Sequence, residues 1–460
     1  MRGRAVTLTR RLRDNLDRSL FLPSPPTALR VKGWEGATVV ASFLALAAAL
    51  QFFRVGPSSA INSLWAEDGP VFLGGALTHG FIDNVTTPYA EYLVVIQRLL
   101  GEVGAAVPLH DAPLAMNLAA VLFVSACGLA VWVASAGHIR SPYLRALLVG
   151  LTVLCPVSSI EAVVSATNAS WYAAFAAFWL LLWRPATTWG ACLGGLLILI
   201  TGLSTPALFF FVPLAVLRAI AIRDRRDALI VGAFALALAI QLPVTALSDE
   251  HVTNPAFTVN TLTTFLQRVV DGSIFGLELG GSLWADMGWP FLIAITVALT
   301  AYLIALALRA SRSRLFAAVA VVTGVGMFLA SAYERALGDV MVWPEGFHNS
   351  IGGRYGIVPV LLLISAALAL LDSRLRERRG RPVLAVATAV VLLVALVTSF
   401  DVSVGSGRGG PQWGDSLDEA AAACRAEHLT EAPVFVAPAG WAMPISCDRL
   451  ESATGSAPAG

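Results

Sequence analysis

The chain has 460 residues, 57% of them hydrophobic and 13% charged, with a formal net charge of +1. A mean hydropathy of +0.73 excludes an ordinary soluble domain. The near-zero net charge conceals a strong asymmetry along the chain, and nucleic acid is not an expected partner.

Residues 1–35 form an Arg-rich leader containing "LPSPP" and no signal-peptide cleavage pattern. The leader is expected to be a mobile topogenic tail, and the apolar run after it a retained span. About eleven apolar runs follow, near 36–53, 112–136, 146–160, 169–183, 187–201, 206–222, 228–247, 289–308, 315–332, 356–371 and 383–400. Several are shorter than the roughly 20 residues a spanning helix needs. The expected fold is an all-α polytopic membrane protein, with a transmembrane domain over 36–400.

Charge sets the expected topology. With a cytoplasmic N-terminus, the inside segments hold 23 of the 31 Arg and Lys, and the outside segments 23 of the 30 Asp and Glu. Basic loops stay on the cytoplasmic side, so this orientation is the one predicted. It places loops 54–111, 248–288 and 331–355 on the exterior, together with a last segment, 401–460. The stretches near 161–168 and 202–206 read as simple connections. Loops longer than about 15 residues are uncommon unless functional, so three on one face point to a site there. Lys32 is the only lysine, a skew that suggests a high-GC bacterial genome.

The first of these loops opens with "LWAEDGPVF", residues 64–72, where Glu67 and Asp68 sit side by side. The pair reads either as an acidic turn stabilising the next helix N-terminus or as chemistry. A carboxylate at the interface can take a proton from an acceptor hydroxyl, and two together can hold a divalent cation, Mg or Mn. Asp68, with the shorter side chain beside Gly69, is the preferred base, and Glu67 its partner. Further on, "PVFLGGALTHGF" and "EYLVVIQRLLGEVGAAVPL" predict two interfacial helices. In the second, Tyr92, Ile96, Leu99 and Val103 share one face and Glu91, Arg98 and Glu102 another. "TLTTFLQRVVDGSIFG" in the next long loop is a third amphipathic piece.

Residues 345–359, "EGFHNSIGGRYGIVP", hold Arg354 and Tyr355 directly before an apolar run. The planar guanidinium of Arg354 suits a phosphate, although a snorkelling Arg beside a belt Tyr gives the same pattern. His348 is a further candidate for a phosphate contact. Glu334 and Arg335 read as a local ion pair; Arg268, Asp271, Asp286 and Glu161 are weaker candidates. In the tail, "SLDEAAAACRAEH" predicts a helix and "APVFVAP" a strand, making a small α/β unit. Cys424 and Cys447 lie 23 positions apart in this outward segment and are expected to pair. Cys127, Cys155 and Cys192 fall within predicted spans as apolar fillers.

An N-in first helix, an acidic motif early in a large first exterior loop and two interfacial helices before the second span resemble the GT-C glycosyltransferases. The stretch 86–122 looks like their second juxtamembrane helix, and "GGRY" is similar to an Arg-containing site for lipid-linked phosphate. The resemblance implies transfer of a sugar from a polyprenyl-phosphate-linked donor to an envelope acceptor, on the outer side of a bacterial cytoplasmic membrane. Asp68 or Glu67 would activate the acceptor, and Arg354 would hold the leaving phosphate. A transporter of a lipid-linked glycan and a non-catalytic envelope assembly protein are the competing readings.

Overall fold

A computed structural model describes residues 13–23, 33–248, 256–310, 312–335, 352–377, 382–403 and 408–453. Among them, helices run in the order α1 (13–19), α2 (Gly33–Val55), α3 (Val95–Ala105), α4 (Ala112–Ala134), α5 (Pro142–Val153) and α6 (Ala169–Leu182). There follow α7 (Thr188–Gly202), α8 (Val212–Ile220), α9 (Arg225–Ala246), α10 (Gly272–Ala307), α11 (Arg314–Glu334), α12 (Arg354–Arg376) and α13 (Pro382–Thr398). Every predicted apolar run contains a helix. Six helical stretches are long and apolar enough to cross a membrane, and five are shorter, at 10–17 residues.

Two helices form the centre of the bundle. In α12 every residue from Gly356 to Arg374 is buried, and in α6 only Trp171 is not. Both are apolar all round, the pattern of a helix that has neighbours on every side. Helix α11 lies close against α12: a Cβ on Gly324 would sit 3.2 Å from the Pro359 carbonyl oxygen. The residues before each central helix therefore meet at one end of the bundle, where the C-terminal tail also packs.

At the opposite end, residues 13–23 of the leader pack against the bundle, where a mobile tail was expected. Leu16, Leu20 and Phe21 are buried in the core. Asp17 pairs with Arg184 and, at 2.5 Å, with Arg223, while Asp227 joins Arg184 and Arg218. His138 Nε2 donates to the Leu20 carbonyl at 2.9 Å. Proline and arginine content in 1–35 hid a short amphipathic helix with a single acidic contact point.

The run 146–160 is not one helix. Helix α5 ends at Val153, and 154–168 is irregular, yet nearly all of it is buried. Backbone polar groups away from water must be paired, and here remote charged side chains pair them. Arg54 donates to the carbonyls of Cys155 and Ser158, and Arg408 to those of Val163 and Val164. Val164 adopts φ +56°, a left-handed conformation that costs a β-branched residue energy. The 161–168 stretch is a buried structural junction and not a simple connection.

Helix α3 also departs from its expected surface role. Gln97 and Arg98 are buried alongside Ile96 and Leu100, while Val103 is 42% exposed, so the helix packs on its polar face as well as its apolar one. Arg98 donates to the Val71 carbonyl and to Asn84 Oδ1, and Asn84 in turn donates to Glu102. The helix is packed into the protein by these bonds.

The tail consists of α14 (Trp413–Glu427), β1 (Glu431–Val436), β2 (Trp441–Ser446) and α15 (Cys447–Ala453). The strands pair antiparallel, with Glu431 opposite Ser446 and Val436 opposite Trp441. Cys424 and Cys447 are disulfide-bonded, with Cα atoms 5.7 Å apart. The unit sits on the first loop: Ala437 donates to the Leu64 carbonyl and accepts from Ala66, Trp413 Nε1 donates to Leu109, and Gly414 donates to Asn62.

Candidate functional site

A cavity of about 450 Å³ opens at the tail end of the bundle, within the size range of small-molecule sites. Its charged lining residues are Glu67, Glu334, Arg335 and Arg354. Aromatic side chains surround them, among them Tyr89, Tyr92, Trp171, Phe210 and Tyr355. The first loop, the 154–168 junction, the end of α11 and the start of α12 all contribute.

The 3₁₀ turn Ala66–Asp68 separates the two adjacent carboxylates. Ala66 has φ +43° and its N–H is held by Ala437 of the tail. Glu67 emerges half-buried on the cavity wall. Asp68 goes the other way and is fully buried. One oxygen accepts from Thr167 N (2.7 Å) and Thr167 Oγ1 (2.6 Å), the other from Ala166 N at 3.2 Å. Burial pushes its pKa up to about 6, against the opposing effects of the Thr167 bonds and the Arg408 charge. Arg408 is itself pulled down to about 10 by burial.

This geometry revises the roles predicted for the pair. Asp68 does not reach the cavity, so Glu67 replaces it as the candidate base. The two do not fit a shared Mg or Mn either, because both Asp68 oxygens are already taken by protein donors. No cluster of three His, Cys, Asp or Glu suited to a metal occurs among the described residues.

Arg354 is the first residue of α12. Its N–H donates to Glu161 Oε1 at 3.1 Å, and its Nη1 lies 3.7 Å from Glu161 Oε2. Glu161 is 6% exposed and also attracts the buried guanidinium of Arg268. Gly353 explains the glycines before Arg354: a Cβ there would be 2.6 Å from Ser159 Oγ. The Tyr355 ring packs edge-on against Trp171, with centroids 5.3 Å apart, and the Arg354 guanidinium lies 5.2 Å from the same ring.

Thus Glu67, Arg354 and Tyr355 share one cavity, while His348 lies outside the described residues. Glu161 backs Arg354 and does not line the cavity. Arg268, Asp271 and Asp286 are absent from its lining. Asp271 is buried, and neither of its oxygens has a hydrogen-bond partner among the described residues. Glu334 and Arg335 both line the cavity, but no ion pair joins them among the described residues.

Sequence reasoning missed Gln97, Thr167, Asn168 and Trp171 on the cavity wall and Arg408 behind it. For Thr167 and Asn168 the available signal was the dense Ser, Thr and Asn content of 158–168, which begins inside the predicted run 146–160. No protein-family model matches the chain, and neither does any curated protein or solved structure.

Proposed function

We propose that this chain transfers a sugar from a polyprenyl-phosphate donor to an envelope acceptor at the outer face of a bacterial cytoplasmic membrane. The observation that carries the reading is the convergence of Glu67 and Arg354 on one aromatic-lined cavity. Glu67 takes the proton of the acceptor hydroxyl as its oxygen attacks the anomeric carbon. The bond from that carbon to the phosphate oxygen breaks, and the electron pair stays on the phosphate. Arg354, fixed by Glu161, meets the charge that develops there. Aromatic side chains stack on the sugar and hold it in line.

Placement at the helix ends supports transfer over transport. Arg354 begins α12, and Glu67 lies on a loop, whereas transporters bind substrate midway along broken helices. The test is the purified protein in liposomes with labelled polyprenyl-phosphate sugars, scoring sugar transfer and transbilayer movement separately. Transfer that disappears in Glu67→Gln is expected. Movement of the lipid without transfer would replace this reading by the transport one.

A further inference from the structure

The cavity contains a second arginine that the mechanism above does not use. Arg335 caps the C-terminal end of α11, and Arg354 starts α12. The close crossing of these helices at Gly324 and Pro359 brings their ends to one wall. Arg335 is half-buried there, and among the described residues no ion pair includes it. Arg354, in contrast, already has Glu161.

A strained turn supplies the rest of this wall. Ala90 and Glu91 have φ of +50° and +78°, unusual for residues with a Cβ. The turn is closed by the Tyr89 N–H donating to the Tyr92 carbonyl at 2.9 Å. It delivers both tyrosines to the cavity. Backbone strain of this kind costs on the order of 1–3 kcal/mol per residue and concentrates at functional sites. Tyr92, Arg335 and Arg354 all line this cavity, and both guanidiniums are among the charges that act on the Tyr92 hydroxyl.

We infer that Arg335 and Arg354 together form a two-armed site for a phosphate monoester dianion, the group left on the lipid once the sugar has gone. The inference rests on the transfer reading. A sugar phosphodiester carries one negative charge, which the Arg354 guanidinium alone meets. Breaking the sugar–phosphate bond leaves a monoester approaching two charges near neutral pH. In the same step Glu67 gains the acceptor's proton and loses its charge. The cavity thus becomes more positive by one as the phosphate becomes more negative by one, and Arg335 supplies the second donor fork. Arg335 accordingly discriminates product from substrate and strengthens with the developing charge.

The experiment measures binding of three probes to the full chain in nanodiscs: polyprenyl phosphate, a polyprenyl-phosphate sugar and inorganic phosphate. Wild type is compared with Arg335→Gln and Arg335→Lys. The Gln variant is expected to lose about tenfold or more in affinity for the monoester, the scale of one charge-assisted hydrogen bond, and much less for the sugar diester. The Lys variant recovers part of the loss. Equal losses for both lipids, or no loss, would return Arg335 to a helix-end cap. Inorganic phosphate binding as tightly as the lipid monoester would overturn the lipid headgroup as ligand. A protein that prefers the monoester but transfers no sugar defeats the transfer reading and leaves the two-armed site intact. One that binds neither lipid defeats both.

Discussion

At Glu67 the side chain faces the cavity, whereas Asp68, one residue on, has both oxygens occupied by the 166–167 backbone and the Thr167 hydroxyl. Substitution should separate the two. Glu67→Gln is expected to lower transfer by about 10²–10⁴-fold with thermal stability and donor binding unchanged. Full activity in that variant would remove Glu67 from the chemistry. Asp68→Asn sets an amide against the Ala166 N–H and should cost about 1–3 kcal/mol of stability. Its effect on transfer should follow the unfolded fraction. The raised Asp68 pKa has a definite pH signature. Between about 4 and 6 the folded protein holds a proton that the unfolded chain has lost, so stability falls as pH rises through that window and is level above it. Unfolding of Asp68→Asn, followed over the same range, should lack this slope.

Among the elements, the leader helix and the tail carry the clearest consequences, because each is tied to the bundle by contacts distant in sequence. Asp17 is the acidic anchor of α1, buried between Arg184 and Arg223. Asp17→Asn leaves the largely shielded Arg184 short of one partner and should cost about 3 kcal/mol in thermal unfolding. Removing the exposed Arg226–Asp224 pair by Arg226→Ala should cost under about 1 kcal/mol. Similar losses from both would mean that α1 does not dock. In the tail, the Cys424–Cys447 bridge closes a loop of 23 residues, which the chain-entropy argument values at about 3 kcal/mol. Reductant should lower the melting temperature of wild type and leave Cys424→Ser with Cys447→Ser unmoved. Because Ala437 holds Leu64 and Ala66, transfer should fall together with tail stability.

For the whole molecule, the leader and the tail pack at opposite ends of the bundle. The proposed orientation puts the leader in the cytoplasm. Phe435→Cys, at a 44% exposed position on the tail, should react with an impermeant maleimide on intact cells. Tyr143→Cys, 84% exposed near the leader end, should react only after permeabilisation. The reverse pattern would place the cavity on the cytoplasmic side and exclude an outward-facing reaction. Cavity and tail belong to one mechanical unit in either case, since Arg408 and Asp68 grip the same buried junction from two directions.

The signals legible along the chain were local. Apolar run length located the helices, composition predicted the helix and strand of the tail, and cysteine spacing anticipated the bridge. The Glu67–Asp68 and Arg354–Tyr355 motifs were also visible, as rare charges beside apolar segments. Packing between distant segments set which carboxylate faces the cavity, that Arg335 shares its wall with Arg354, and that 154–168 is buried and irregular. It likewise decided that α1 is docked and that α3 turns Arg98 inward. Each of these depends on a partner remote in sequence: Asp68 on Thr167, Val163 on Arg408, Asp17 on Arg184. Hydropathy and periodicity register how a residue relates to its near neighbours in the chain. A buried charge is decided by the donor or acceptor that packing brings to it from elsewhere.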